Sequence, residues 1–276
     1  MVGHFGMVDI TAARFIVFGA MAGVAVWWRP PGHRWPDARQ ASTVLALSGL
    51  GFTGYYLLLA FSIVDAGTEV PSLIIGTIPV WMMLLGRPAG LRMQALLPGL
   101  VLTAVGIALM VWSAWPQGGI GDTGRAHFGW GLVLAVLAMA SWTAFGLLNA
   151  AWLQRHPEVH AADWTNWLGI GTGLGAFVLW LAAGSDLAIL RAQPDGALFV
   201  LLALAGGLGS SWLATVLWNI ASQRLSASLC GQLIVSETLF ALLYSFLWDG
   251  RWPHASELAA ALLFVLGILA SIKAHR

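Results

Sequence analysis

The chain has few charged residues, and this scarcity excludes most water-soluble folds. Only 9% of its 276 residues are Asp, Glu, Lys or Arg, whereas 59% are hydrophobic and the mean hydropathy is +0.80. Ordinary soluble domains carry roughly 25% charged residues. The net charge of +1 and the lack of a long basic or acidic tail give no indication of a nucleic-acid partner. Water is therefore not the main solvent of this protein.

Cysteine and catalytic motifs are equally scarce. Cys230 is the single cysteine, so no internal disulfide can form, and it lies in an apolar run where a small packing residue is expected. The histidines lie in loops or near the ends, and Pro157 between His156 and His160 spoils a helical two-histidine metal face. No nucleophile–histidine–carboxylate set and no phosphate-binding loop is recognisable. We therefore expect no enzyme, no metal and no cofactor.

What the sequence does contain is nine apolar runs separated by short charged loops. A membrane-spanning helix needs about 20 mostly apolar residues. The runs lie near residues 8–28, 41–62, 68–86, 93–115, 129–153, 161–183, 197–221, 227–248 and 255–273. A transmembrane β-barrel would alternate polar and apolar residues in segments of roughly ten, and these runs do not alternate. The sequence therefore predicts an all-α integral membrane protein surrounded by a lipid bilayer.

The charges of the loops predict the orientation, since arginine and lysine are retained on the cytoplasmic side. Nine basic residues lie on one side: Arg29, Arg34, Arg39, Arg87, Arg92, Arg155, Arg224, Lys273 and Arg276. The opposite loops hold three basic and seven acidic residues: Arg125, Arg191, Arg251, Asp65, Glu69, Asp122, Asp186, Asp195, Asp249 and Glu257. We expect a multi-pass protein of a bacterial-type inner membrane with a cytoplasmic carboxy terminus.

A weak internal repeat divides the chain. Similarly spaced residues end both parts: Pro79, Gly90 and Gly106-Ile107 in the first, and Thr238, Gly250 and Gly267-Ile268 in the second. We predict a first repeat at 1–115 with four helices, a connecting loop at 116–128 and a second repeat at 129–276 with five helices. Symmetry then predicts a ten-helix parent fold with a further helix ahead of Val8. Repeats that each cross an odd number of times are inverted, as in alternating-access carriers.

Several short motifs, in this order and spacing, are similar to a known family. They are Ala13-Arg14-Phe15, Ile78-Pro79-Val80, Leu97-Pro98-Gly99-Leu100, Ala104-Val105-Gly106-Ile107, Trp218-Asn219, and Ser236-Glu237-Thr238-Leu239-Phe240. The chain resembles the EamA-like branch of the drug/metabolite transporter superfamily, and in particular its amino-acid exporters. The resemblance implies a secondary carrier or facilitator that moves a small amphipathic metabolite outward while two inverted halves rock about a central cavity.

Two other classes of function remain open. An intramembrane enzyme that modifies lipid is disfavoured because no catalytic constellation is visible. A channel or a non-transporting membrane subunit is disfavoured by the repeated halves and by a carboxylate in the middle of an apolar run.

That carboxylate belongs to Glu237, and a charge in hydrocarbon costs several kcal/mol unless it is paired or faces water. Gln232 and Ser236 lie nearby in sequence, and we expect all three on one side of a helix, facing a cavity. Glu237 would then contact a substrate amine or carry a proton, unless it is hydrogen-bonded between helices for packing. Arg14, with Asp9 five positions earlier, is a candidate gating or structural residue that snorkels to the headgroups or pairs with Asp9.

Aromatic residues near the middle of the runs complete the candidate substrate-binding set. Tyr55, Tyr56, Trp142 and Trp212 could supply the apolar walls of a pocket and Ser141 a hydroxyl, although helix packing explains them equally well. Pro79 interrupts a helix and frees backbone carbonyls for bending or binding, and a packing kink is the alternative. Asn149 and Asn219, near the cytoplasmic ends, are expected to satisfy helix termini or gate contacts.

Overall fold

The computed structural model describes residues 5–28, 35–67, 69–114, 125–249, 252 and 255–275, and no β-strand occurs among them. The helices are α1 (Met7–Trp27), α2 (Ala38–Ser48), α3 (Gly54–Ala66), α4 (Glu69–Ile75), α5 (Ile78–Leu85), α6 (Met93–Ala114), α7 (Arg125–Arg155), α8 (Ala161–Ala183), α9 (Leu187–Ala192), α10 (Gly196–Ala205), α11 (Ala214–Arg224), α12 (Ala227–Asp249) and α13 (Ala255–Ala274). Two π-helical segments, Gly49–Thr53 and Gly206–Leu213, join α2 to α3 and α10 to α11. The prediction of an all-α membrane protein is confirmed.

The predicted apolar runs all coincide with helical segments. Within the described residues, six segments are long and apolar enough to cross a membrane: Met7–Trp27, Ala38–Ala66, His127–Arg155, Ala161–Ala183, Gly196–Arg224 and Ala255–Ala274. The runs at 93–115 and 227–248 form α6 and α12. The run at 68–86 forms two short helices, α4 and α5, instead of one continuous span.

The break between α4 and α5 follows from Pro79. Proline has no backbone N–H, so it is tolerated in the first turn of a helix but not in its interior. Pro79 accordingly lies in the first turn of α5. Ahead of it, Gly76 and Thr77 form a turn in which the Thr77 hydroxyl donates to the Ile74 carbonyl at 2.7 Å. The interruption expected at Pro79 is therefore present, and the Ile74 carbonyl also accepts the Thr77 N–H at 3.0 Å.

The chain folds into two compact units. Unit 1 comprises Met1–Ala60 and Leu148–Arg224, and unit 2 comprises Phe61–Leu147 and Leu225–Arg276. Two of the three divisions between them fall inside α3 and α7, and the third follows the end of α11. Each unit thus combines segments from before and after the predicted connecting loop at 116–128, most of which lies outside the described residues. The two sequence repeats are a different division of the chain, and they stay a prediction.

Unit 1 is organised around the contact of α1 with α8. The two helices approach most closely where Gly19 faces Gly173, because a Cβ atom added to either glycine would lie 2.7 Å from the Cα atom of the other. Small residues allow this approach, and in lipid such packing replaces the hydrophobic effect as the main source of helix association. The π-helical segment Gly206–Leu213 also packs on α1, and α2 and α11 pack on α8.

Unit 2 is organised around two helix pairs, α6 with α13 and α5 with α12. Gly106 of α6 lies against the ring of Phe264, which is buried in a core with Val235 and Ala260. The α5–α12 pair is joined at its end by Ser228, whose N–H donates to the Gly86 carbonyl at 3.1 Å and whose hydroxyl donates to the Met83 carbonyl at 3.2 Å. Both pairs bring a helix of the first predicted repeat against one of the second.

The closest contact in unit 1 gives a direct test of the packing. Gly19→Ala should lower the thermal unfolding midpoint of the purified protein, because overpacking a tight contact costs about 1–3 kcal/mol. Gly23→Ala is the matched control on the same helix, since no atom lies within 4 Å of the Cβ position there. Equal midpoints for the two variants would show that α1 and α8 do not pack through Gly19.

Candidate functional site

Arg14 lies well inside α1 and has two hydrogen-bond partners within unit 1. It is the eighth residue of α1, about 10 Å from the start of that helix at 1.5 Å per residue. Its Nε–H donates to the Ser211 hydroxyl at 2.8 Å, and its Nη1–H donates to the Tyr56 hydroxyl at 3.0 Å. Both bonds stay within the protein. We call Arg14, Tyr56 and Ser211 the Arg14 cluster.

Aromatic rings surround this guanidinium on one side. Its carbon atom lies 5.1 Å from the centroid of the Tyr56 ring and 5.5 Å from that of Phe15, within the range of a cation–π interaction. Tyr56 packs edge-on against both Phe15 and Tyr55, with centroids 5.0 Å apart in each pair. Tyr55 and Phe15 are buried, whereas Tyr56 and Arg14 are partly exposed. The cluster therefore presents a positive charge beside an aromatic wall.

Two π-helical segments lie next to this cluster. Ser211 belongs to Gly206–Leu213, and Tyr56 follows three residues after Gly49–Thr53. Glycine makes both segments possible: a Cβ atom at Gly54 would lie 2.5 Å from the Gly49 carbonyl oxygen, and one at Gly207 would lie 2.8 Å from that of Arg14. Short π-helical insertions are rare and often occur at functional sites.

Asp9 has a different partner from the one that the sequence suggested. Its carboxylate is buried and accepts two hydrogen bonds from Ser185, from the backbone N–H at 2.9 Å and from the hydroxyl at 2.7 Å. Neither hydrogen bond of Arg14 goes to Asp9. The predicted Asp9–Arg14 pair is therefore replaced by a link between the start of α1 and the loop after α8. In the sequence, the only sign of this role for Ser185 is that it carries a hydroxyl and lies in a polar loop.

A buried amide network joins α7, α8 and α11 in unit 1. Asn149 donates through its amide to the Asn219 carbonyl oxygen at 2.8 Å, and Asn219 donates to the Thr165 hydroxyl at 2.8 Å. The Trp164 indole N–H donates to Asn149 at 2.7 Å. All four side chains are fully buried. Asn149 and Asn219 thus bond to each other and to side chains of α8, and sequence reasoning did not single out Thr165 and Trp164.

Trp212 also bonds to α8. Its indole N–H donates to the Asn166 side chain at 2.9 Å, and the ring is partly exposed. An indole N–H that is already bonded to protein leaves only the ring face for other contacts. In unit 1, the structure therefore brings Tyr56 into the Arg14 cluster and ties Trp212 to α8.

The polar residues of α12 in unit 2 point in different directions. Gln232 is fully buried and its amide donates to the Thr103 hydroxyl at 3.0 Å, whereas Glu237 is exposed. Ser236 is partly buried and donates to the Leu233 carbonyl at 2.6 Å. The expectation that all three share one side is wrong, because five residues at about 100° each rotate Glu237 some 140° from Gln232.

The remaining predicted residues of unit 2 lie in α5 and α7. Trp142 and Ser141 are partly buried, and the Trp142 ring packs against Phe145 with centroids 6.2 Å apart. Pro79 is buried in the first turn of α5. Nothing in the described part of the chain brings together three His, Cys, Asp or Glu side chains in a way that would hold a metal ion.

The helical architecture and the glycine-mediated helix pairs define a polytopic membrane protein. Comparison with known proteins supports this class. A model of the EamA-like transporter family matches residues 129–272, which is more than half of the chain. The inner membrane protein YtfF of Escherichia coli K12 is 30% identical over 273 residues, covering 95% of this chain and 85% of that protein. The chain therefore belongs to the EamA-like transporter family, within the drug/metabolite transporter superfamily, and is a multi-pass inner membrane protein.

A solved crystal structure shares the fold. It aligns with a TM-score of 0.77 over 98% of this chain and 90% of its own length, at 18% sequence identity. At this level of identity the similarity concerns the fold alone.

The buried amide network predicts a large loss of stability on truncation. Asn149→Ala should lower the thermal unfolding midpoint strongly, because it leaves the Trp164 N–H and the Asn219 carbonyl without partners at a cost of about 1–3 kcal/mol each. Gln223→Ala is the control, since it removes one hydrogen bond, to the Val159 carbonyl, from a partly exposed side chain. A midpoint for Asn149→Ala no lower than that of Gln223→Ala would contradict the prediction.

Proposed function

We propose that this protein is a secondary transporter or facilitator that exports amino acids or similar small amphipathic metabolites across the inner membrane by alternating access. The carboxy terminus is cytoplasmic in this proposal, because the nine basic loop residues then lie inside. The resemblance of the sequence motifs to amino-acid exporters such as YddG supports the substrate class.

The observation that carries the proposal is the exposure of Glu237 in α12. This residue is the eleventh of 23 in its helix, about 15 Å from either end. A carboxylate at this depth is costly in hydrocarbon, so an exposed one has to face water. A water-filled region at mid-membrane depth is what a carrier requires, and the carboxylate there can bind a substrate ammonium group or a proton.

Alternating access is supported by the way in which the predicted repeats pair. The alignment that places Gly106 on Gly267 also places Thr103 on Phe264 and Gly99 on Ala260. A twofold axis that relates the two repeats would then place the contact between Gly99 and Gly267 on the contact between Ala260 and Gly106. Cβ atoms added to Gly99 and Gly106 would lie 3.1 Å and 3.4 Å from the carbonyl oxygens of Gly267 and Ala260, respectively.

The same alignment relates a second pair of contacts in unit 2. Gly267 lies against the Thr103 hydroxyl, as Gly106 lies against the Phe264 ring. Inverted repeats that pack pairwise in this way are the arrangement on which rocking carriers depend.

Transport itself is tested by reconstituting the purified protein in liposomes and measuring the flux of each radiolabelled amino acid with and without a pH gradient. We expect saturable flux for at least one of them. Empty liposomes provide the background. The absence of saturable flux for every amino acid would overturn the proposed substrate class.

The role of Glu237 predicts a specific change in the response to pH. Glu237→Gln should raise the KM about tenfold or more, because a charge-assisted contact is lost, and should abolish the pH dependence of flux. Glu257→Gln, at the first turn of α13, removes the same charge outside the middle of a span and should leave both unchanged. Kinetics that stay pH-dependent in Glu237→Gln, with an unchanged KM, would overturn the role of Glu237 in transport.

A further inference from the structure

The guanidinium of Arg14 has more hydrogen-bond donors than its surroundings use. An arginine side chain carries five N–H donors. Two of them are engaged, one by Ser211 and one by Tyr56. Among the residues that the structure describes, no acceptor takes the other three. The side chain is only partly buried.

Within the described part of the chain, the positive charge of Arg14 also lacks a counter-charge in direct contact. Asp9 is on the same helix, about 7.5 Å away along its axis, and both of its oxygens accept hydrogen bonds from Ser185. The partners of Arg14, a phenol and an alcohol, are neutral. A fixed, partly desolvated cation with unused donors favours an anionic ligand.

The chemistry of the neighbouring side chains narrows the class of anion. A planar guanidinium binds a planar carboxylate through two parallel hydrogen bonds. The rings of Tyr56 and Phe15 beside it offer an apolar surface, which suits a ligand with a hydrocarbon body rather than a small inorganic ion. Ser211 and Tyr56 hold the guanidinium in place, so little side-chain entropy is lost on binding.

The π-helical segment Gly206–Leu213 is an independent indication that this position is not ordinary packing. It brings the Ser211 hydroxyl to the Arg14 Nε–H while Gly206 keeps the space beside the Arg14 stem free of a side chain. Such a segment departs from the regular α-helical hydrogen-bond pattern and is retained where a function depends on it.

We propose that the Arg14 cluster binds the carboxylate of the substrate, which makes the substrate a small organic carboxylate with an apolar body. This inference rests on the proposed transport function and specifies which group of an amino acid the cluster recognises. Arg14 contacts the ligand, and Tyr56 and Ser211 position its guanidinium.

Binding of a simple carboxylate tests the site without transport. A ligand that binds only the folded state raises its unfolding midpoint. In chloride-free buffer, 3-phenylpropionate should raise the midpoint of the purified full-length protein in a saturable manner, whereas its neutral analogue 3-phenylpropionamide should not. In Arg14→Gln the effect of the carboxylate should vanish, and in Arg14→Lys its apparent affinity should fall about tenfold or more. Arg191→Gln, which removes an exposed arginine of α9, should behave as the wild type.

Every outcome decides for or against the site. Equal stabilisation by the acid and the amide, no stabilisation of the wild type, or equal stabilisation of the wild type and Arg14→Gln would overturn it. Should Arg14→Gln fail to fold, Tyr56→Phe and Ser211→Ala take its place, and each should weaken binding of 3-phenylpropionate several-fold. Unchanged affinity in both would overturn the proposal.

The site and the proposed transport can fail separately. Arg14-dependent stabilisation by 3-phenylpropionate with no amino-acid flux in liposomes would support the site and overturn the transport of amino acids. Saturable amino-acid flux whose KM is the same in Arg14→Lys and in the wild type would support transport and overturn the role of Arg14.

Discussion

A polar group inside a bilayer has no water to bond with, and most of the arrangement of this protein follows from that constraint. Each unsatisfied group costs several kcal/mol in hydrocarbon. Asp9 is satisfied by two hydrogen bonds from Ser185, and Asn149 and Asn219 are hydrogen-bonded to each other. These bonds fix which faces of α1, α7, α8 and α11 turn inward. Glu237 and Arg14 differ from these buried groups because Glu237 is exposed and Arg14 is partly exposed.

Helix association in this protein depends on close approach rather than on bulky core residues. Gly19 against Gly173, and Gly106 against Phe264, bring backbones near enough for dispersion contacts that lipid would not supply. The pairs that do so combine a helix from each predicted repeat. The close contacts that hold the helices together therefore lie between the two predicted repeats.

The sequence predicted the membrane class and the approximate bounds of the helices well, because these depend on local composition. The run at 255–273 corresponds to α13 (Ala255–Ala274), and the break at Pro79 follows from the missing N–H of proline. The partners of buried polar groups could not be predicted in the same way. Thr103 lies 129 residues from Gln232 and Ser185 lies 176 residues from Asp9, so their pairing depends on which helices meet.

The candidate site shows the same division between local and long-range information. Arg14 and Tyr56 were recognisable as polar or aromatic residues inside apolar runs, but their contact joins α1 to α3. The error over Gln232 and Glu237 has a simpler origin: closeness in sequence was taken for a shared face, although five residues do not complete a whole number of helical turns. Glu237 remains a candidate site residue because it points away from the side of α12 that packs.

The π-helical segment between α10 and α11 has a consequence for helical phase. A regular α-helix presents one continuous stripe to its neighbours, and α10 and α11 would have to share it. Accommodating an extra residue shifts the stripe by about 100°. One continuous membrane segment can thereby serve two contact lines that are out of phase: α10 packs on α1 before the π-helical segment, and α11 packs on α8 after it, where Asn219 donates to Thr165.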